Sequence, residues 1–356
     1  VLDEATINNY VAQGKFFRAY GYFWLVKEFG GVPYISEPYT STEGMYKERL
    51  SAEEVYKKIE ADLLDIVNGD ALPNKTFYEN GCYVTRAMAQ TLLAQAYPQW
   101  AGAPLNGGAD YYGKAAQMAL KVINDSPHEL IHPNGTTDDL NSAYNVIKTT
   151  KESAEIIYAK EYNYTNYSVG NSYACRSIGT DAFQWGVFHP GGDVLYNAYL
   201  PCDMLLNSYA SNDIRGHEKQ FFFKQYTDAE GKTYTLNNAG NWAWFDENAL
   251  IRGHDGDYNM PVFRFAEVLL IAAEGLARTN HEDNAVGGAK YYLNQVRKRA
   301  GLADETATGN DLIQSILTER LHELPLEFKI WDDIRRTRLY PEASTESGKL
   351  KWTALA

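Results

Sequence analysis

Five consecutive residues are the most able to do chemistry: His128-Glu129-Leu130-Ile131-His132 spell H-E-x-x-H. On a helix this spacing sets two imidazoles on one face to hold zinc, with the glutamate as base. Pro127 precedes the motif and Pro133 follows its second histidine. A residue before proline is pushed out of the helical region, so His132 should miss the required face. Asp255-Gly256-Asp257-Tyr258-Asn259 imitates the start of a calcium loop. Its sixth position is Met260 rather than Gly and its twelfth is Ala266 rather than Glu, so a turn rich in Asx residues is expected instead. There is no G-x-S-x-G elbow, phosphate loop or dinucleotide fingerprint. Nothing singles out a glycosidase pair among the 46 acidic residues. The expectation is therefore no catalytic residue, no metal and no cofactor.

A different chemistry lies in the loops. Trp185, Phe188, Tyr196, Tyr199, Trp242 and Trp244 stand among Asp193, Asn197, Asn241 and Asp246 in a Gly- and Asn-rich middle. Flat rings stack on the apolar faces of sugars, and neighbouring amides and carboxylates take the hydroxyls. Only Ala243 separates Trp242 from Trp244, so an extended segment would place both rings on one face, about 7 Å apart. The candidate ligand-binding residues are Trp185, Tyr196, Trp242, Trp244 and Asn241. The alternative is that these rings pin long loops onto a scaffold.

Helices must position that middle. Phe16, Ala19, Tyr20, Phe23 and Val26 recur at three- and four-residue steps, and the run ends at Gly30-Gly31. Ser51-Ala52-Glu53-Glu54 is a capping box followed by the stripe Val55, Ile59, Leu63 and Ile66. Further helices are expected over about 85–97, 111–124, 261–276, 289–296, from 312 towards Pro325, and over 326–338. Glu155 to Ala159 reads as a short strand, and Phe221-Phe222-Phe223 with Tyr234 as a hairpin around Glu230-Gly231. Short helical pairs with small residues at their contacts resemble tetratricopeptide hairpins. The expected fold is mostly α, one domain over 1–356. Its helical-hairpin scaffold spans 1–130 and 260–340, and the loop-rich insertion with a few short strands spans 131–259.

Composition excludes several functions. With 33 basic and 46 acidic residues the net charge is −13, wrong for a nucleic-acid or anionic-lipid surface. No apolar run reaches the roughly 18 residues of a membrane-spanning helix. Cys82, Cys175 and Cys202 form no C-x-x-C pair. Tyr is unusually frequent, 27 against 14 Phe, and suits half-wet surfaces that grip amphipathic ligands. The chain opens Val1-Leu2-Asp3-Glu4 and reads as a processed chain or a piece of a longer one.

Several segments, in order, resemble the SusD/RagB family of surface glycan-binding lipoproteins. They are Phe16-Phe17-Arg18-Ala19-Tyr20 through Gly30-Gly31-Val32-Pro33, residues 51–64, residues 85–97, Pro261 through Leu270, Leu293 through Leu302, and Glu319-Arg320 to Arg335-Arg336. The chain departs from the pattern at Phe328, where the family has a small Gly, and at Ile330, where Arg is usual. The resemblance implies four tetratricopeptide-like units with a ligand face built from irregular insertions, and no catalysis. It implies an outer-membrane, surface-exposed lipoprotein that passes oligosaccharide or polysaccharide to a SusC-like TonB-dependent transporter. It also places the family's N-terminal anchor region, its only membrane attachment, and its C-terminal tail outside this chain. Two other readings are kept: a peptide-binding or assembly module on the same scaffold, and a zinc or glycoside hydrolase. Finally, the charges on the apolar stripes must be paired, so at least one of Arg264, Arg297 and Arg320 should meet Glu267, Glu274 or Glu319.

Overall fold

The computed structural model describes residues 2–132, 137–189 and 199–355. Helix α1 (Glu4–Phe29) packs on α2 (Ala52–Asn68), which opens with the expected capping box: Ser51 and Glu54 bond reciprocally. Next come α3 (Arg86–Ala101), started by the Thr85 side chain, and α4 (Ala109–Asp125). α2 leans on α3, α3 on α4, and α4 on α9 (Phe265–Ala277). Then α9 packs on α10 (Ala289–Arg299) and α11 (Gly309–Glu323), and α12 (Ile330–Thr337) closes the row against α3 and α11. These are stacked tetratricopeptide-like hairpins, each burying the face its neighbour exposes.

α9 is the centre of the core: every one of its residues is buried. Small residues allow this. A Cβ on Gly275 would lie 2.6 Å from the Tyr112 carbonyl oxygen and 2.9 Å from the Ala116 Cβ, so glycine sets how closely α4 and α9 approach. α1 is apolar on both sides. Phe16, Ala19, Phe23 and Val26 are buried, whereas Tyr10, Val11, Phe17, Trp24, Leu25 and Phe29 on the outward side are exposed.

The middle hangs from this row by one strand pair. β1 (Ile156–Lys160) pairs antiparallel with β4 (Met260–Arg264) directly before α9. The short helix α5 (Ala143–Thr149) precedes β1, and between β1 and β4 the described residues form short elements: the four-residue α6 (Tyr164–Tyr167), α7 (Asp203–Ser208), the hairpin β2 (Phe222–Thr227) with β3 (Thr233–Asn241), and α8 (Glu247–Arg252). A last hairpin, β5 (Leu339–Ala343) with β6 (Leu350–Ala354), packs on α11. The final helix starts at Ile330, not at 326. Pro325 and the left-handed backbone of Phe328 (φ 59°) keep the preceding stretch out of helix.

Buried charges tie scaffold and middle together. Arg264 reaches Glu155 at 2.8 Å, Glu323 at 3.0 Å and Glu327 at 2.7 Å, and Arg299 bonds Glu155 and Glu323. Arg215 pairs with Asp213 at 2.8 Å and Glu319 at 2.5 Å. Arg336 grips Glu274 at 2.6 Å and Asp333 at 2.7 Å. The expected pairs form as Arg320–Glu267, at 3.8 Å, and Arg297–Glu319, at 3.5 Å. Arg264 is not on the helix: it ends β4 and turns to three other carboxylates. Burial alone would push the Glu274 carboxyl up, but Arg336 and Arg278 hold it well below the ordinary carboxylate range.

Candidate ligand-binding site

The H-E-x-x-H residues lie in no helix. The chain leaves α4 at Asp125, and His132 sits in the left-handed region at φ 50°. His128 is buried, its Nδ1 spent on the Ala154 carbonyl at 2.8 Å, and burial lowers its imidazole. The two histidines therefore share no metal-binding face. Pro133 falls outside the described residues. The Asp255–Asn259 segment is a turn: the Thr165 backbone N–H and hydroxyl bond Asp257, at 3.1 and 2.6 Å, and the Asp257 backbone N–H donates to Asp246. Among the described residues no group of three His, Cys, Asp or Glu is placed to hold a metal.

The aromatic residues form two clusters. In the first, Phe188, Phe223, Tyr226 and Phe245 are buried, with Trp185, Tyr234 and Trp242 partly exposed around them. Trp185 ends a short 3₁₀ turn (Thr180–Trp185) and stacks on Tyr234 at 4.8 Å. Trp242 stacks on Phe245 at 5.2 Å and meets Phe223 edge-on at 5.3 Å. Its Nε1 donates to the Asn145 Oδ1 at 2.7 Å. In the second cluster Trp244, which is buried, stacks with Phe328 at 5.8 Å and meets Tyr173 at a tilt at 4.8 Å and Tyr199 edge-on at 5.9 Å.

The expected shared face of Trp242 and Trp244 is not there. Residues 242–244 form a 3₁₀ turn just after β3, not an extended segment. Three residues per turn send residues two apart in different directions, one ring into each cluster. Asn241 is fully buried, and its Nδ2 donates to the Tyr199 carbonyl at 2.7 Å, so its amide anchors a loop. Asp246 is likewise occupied, capping α8 through the Ala249 N–H at 3.2 Å. Tyr196 lies outside the described residues.

Beside the Trp244 cluster lies a cleft lined by Tyr144, Lys148, Phe221, Trp244, Met260 and Leu326 among others. A second depression adjoins it, and Ile147, Lys148, Asn259 and Pro261 line both. Lys148 thus stands where the two meet. Its Nζ lies 4.0 Å from the Trp242 ring centre and 5.1 Å from that of Tyr258. Sequence reading missed Lys148, Tyr258 and Phe328. The one signal for Lys148 is local: on a seven-residue helix it stands three positions after Asn145 and four after Tyr144, so all three share a face.

Comparison with known proteins bears on this arrangement. Residues 224–351 match the model of the SusD family, and residues 3–97 match one described as starch-binding associating with outer membrane. The SusD-like protein P2 of Formosa agariphila is 29% identical over 364 aligned positions, which span 97% of this chain and 68% of that protein. A SusD superfamily protein from Parabacteroides distasonis superposes with a TM-score of 0.83 at 27% identity, over 99% of this chain and 72% of that one. The chain belongs to the SusD/RagB family. Surface glycan-binding protein A from Bacteroides thetaiotaomicron, solved in complex with laminarihexaose, shares the SusD fold at 22% identity, with a TM-score of 0.69 over 94% of this chain and 70% of that one. Within the SusD pattern Phe328 is informative. It sits at positive φ, and its ring closes the Trp244 cluster beside the cleft.

Proposed function

We propose that this SusD-like chain captures an oligosaccharide in the cleft beside its Trp244 cluster and delivers it to a SusC-like TonB-dependent transporter, as a lipid-anchored protein at the outer-membrane surface. The observation that carries the reading is the cleft itself. It is walled by rings and apolar side chains, with polar groups at Asn171, Asn259 and Lys148 and the paired Arg264 and Glu327, on the fold that in a relative holds laminarihexaose. Sugars are gripped in this way by ring faces and sparse, well-placed polar groups.

Trp185 and Trp242 keep part of each ring in solvent and belong to the proposed platform; Trp244 forms the cleft wall. Asn241 supports the loop from within. Among the described residues no helix is long and apolar enough to cross a membrane, in keeping with attachment through a lipid. The uncovered apolar face of α1 is a contact surface, and the transporter is the partner we propose for it. The role is non-catalytic, since the one zinc-type motif lacks the helix that would give it meaning. Calorimetry with neutral and charged oligosaccharides and with short peptides tests the reading. Sugar binding supports it. Peptide binding without sugar binding replaces it with a peptide-handling role, and turnover of a glycan by the pure protein overturns the non-catalytic assignment.

A further inference from the structure

Lys148 is at odds with the way this protein treats its other enclosed charges. The buried arginines of the scaffold all sit against carboxylates, and Lys27, nearly buried, is paired with Asp332. Lys148 makes no ion pair and no hydrogen bond among the described residues. Three rings surround its ammonium: Trp242 at 4.0 Å, Tyr258 at 5.1 Å and Phe245 at 5.8 Å. Ring faces attract the charge but leave its three N–H donors unspent. Two further cations lie over the same clusters without an ion pair among the described residues. Lys219 is 5.4 Å from the Trp242 ring centre, and Arg176 is 5.3 Å from that of Tyr173. In a chain of net charge −13, three cations thus gather on the aromatic clusters, and Lys148 among them lines the cleft.

We propose that the cleft selects a glycan bearing an acidic group, a uronate carboxylate or a sulfate ester, and that Lys148 is the residue that reads it. The inference rests on the glycan reading of the cleft and names the substrate class for it. An acidic group would take the N–H donors that no protein group uses, while the rings stack on the sugar carrying it. A neutral hydroxyl could use one donor but would leave the enclosed charge uncompensated.

Burial lowers the Lys148 ammonium to about 7, with only Asp246 opposing. The neighbouring charges are otherwise engaged. Asp246 accepts from the Ala249 and Asp257 N–H groups, Asp257 from Thr165, and Glu247 from the Tyr226 hydroxyl; Lys151 donates to the Tyr162 carbonyl, and Arg264 holds Oε1 of Glu327, whose buried Oε2 has no partner among the described residues. Burial raises the Tyr258 phenol, which stays neutral. A bound anion favours the protonated amine, so acidic-glycan affinity should fall as pH rises from 6 to 9, while neutral-glycan affinity should stay level.

The test is calorimetry at pH 6 and pH 9 with a galacturonate hexamer, a κ-carrageenan hexasaccharide, which carries sulfate and no carboxylate, and neutral laminarihexaose. The expected result is tighter binding of one or both acidic probes by roughly ten- to hundredfold at pH 6, with the preference reduced at pH 9. Carboxylate against sulfate distinguishes the two sources. Lys148→Met should abolish the preference, and Lys148→Arg should keep it and flatten its pH profile; the wild-type titration stands even if a variant folds poorly. Laminarihexaose bound as well as both acidic probes, unchanged by Lys148→Met, overturns the inference and leaves the glycan reading intact. Failure of every sugar to bind overturns both.

Discussion

The helical scaffold and the aromatic middle handle the same problem, a charge taken out of water, in opposite ways. In the scaffold Arg264, Arg299, Arg320 and Arg336 are matched to Glu155, Glu323, Asp333 and Glu274 by short, often paired contacts. In the middle Lys148, Lys219 and Arg176 lie over rings and form no ion pair among the described residues. A buried pair that is complete holds one arrangement of its helices and offers nothing to a ligand. A cation over aromatic faces is held only partly satisfied, and can bind. The difference separates structure from recognition here better than burial alone, because both regions bury many polar groups.

The largest effect that would sharpen this contrast is in the scaffold. Arg264→Met leaves Glu155, Glu323 and Glu327 without one of their cations, and should cost about 3–5 kcal/mol of stability, measured by urea unfolding. A loss under about 1 kcal/mol would show the network to be no more than a surface set of ion pairs.

Acid should expose the scaffold next. Burial, and Arg215 beside it, lower the His322 imidazole to about 3, so it is neutral and bonded to Ser208 at 2.7 Å. The unfolded chain takes up this proton near 6.5, so stability is complete above that pH and is lost as pH falls towards 3. Glu274, held low by Arg336, acts in the same direction below its ordinary 4.5. Glu319 and Glu327, which burial raises, oppose it over the same acidic span. A net fall in melting temperature between pH 6.5 and 4 is expected, and His322→Gln should reduce it. An unchanged profile in that variant would remove His322 from the account.

In the middle the effect should shift from stability to binding. Trp242→Ala is expected to weaken glycan binding by roughly 1–3 kcal/mol, the scale of an aromatic hot spot, and Trp185→Ala to weaken it less, because that ring is already stacked on Tyr234. Calorimetry beside thermal unfolding decides. A melting loss with unchanged affinity would return both residues to the role of loop anchors.

The smallest effect has the opposite sign. Lys148→Met removes an uncompensated cation and should raise the melting temperature by about 1–2 °C. Because the folded-state amine titrates near 7 and the unfolded one near 10.5, the gain should be full below pH 7 and fade as pH rises towards 10. Destabilisation by this variant at pH 6 would mean that the aromatic box needs its cation, and that the two regions differ less than proposed.

Periodicity and capping chemistry carried most of the scaffold. The capping box at Ser51 and the small-residue run of α3 lie where the pattern placed them, because a stripe that must be buried leaves little choice of period. Strand β1 and the 222–241 hairpin were also legible, to within a residue or two. Proline logic at His128 to His132 was enough to dismiss a helix, since that rule is local.

The site yielded less. Alternation assumed an extended backbone for Trp242 and Trp244, and the hydrogen bonds around Ser177, Asn145 and Phe221 wind it into a turn instead. Asn241 looked free in sequence because its partner, the Tyr199 carbonyl, lies 42 residues away.

By itself, the sequence determined the helical periods, the family motifs and the presence of an aromatic middle. Those depend on residue type at short spacing, where sterics and backbone hydrogen bonding act alone. Only the tertiary structure decided which rings face the cleft and which cation goes without a carboxylate. Lys148, Trp242 and Tyr258 lie on three separate segments. Whether a charge is enclosed and unanswered depends on every segment folded against it, and no spacing along one of them records that.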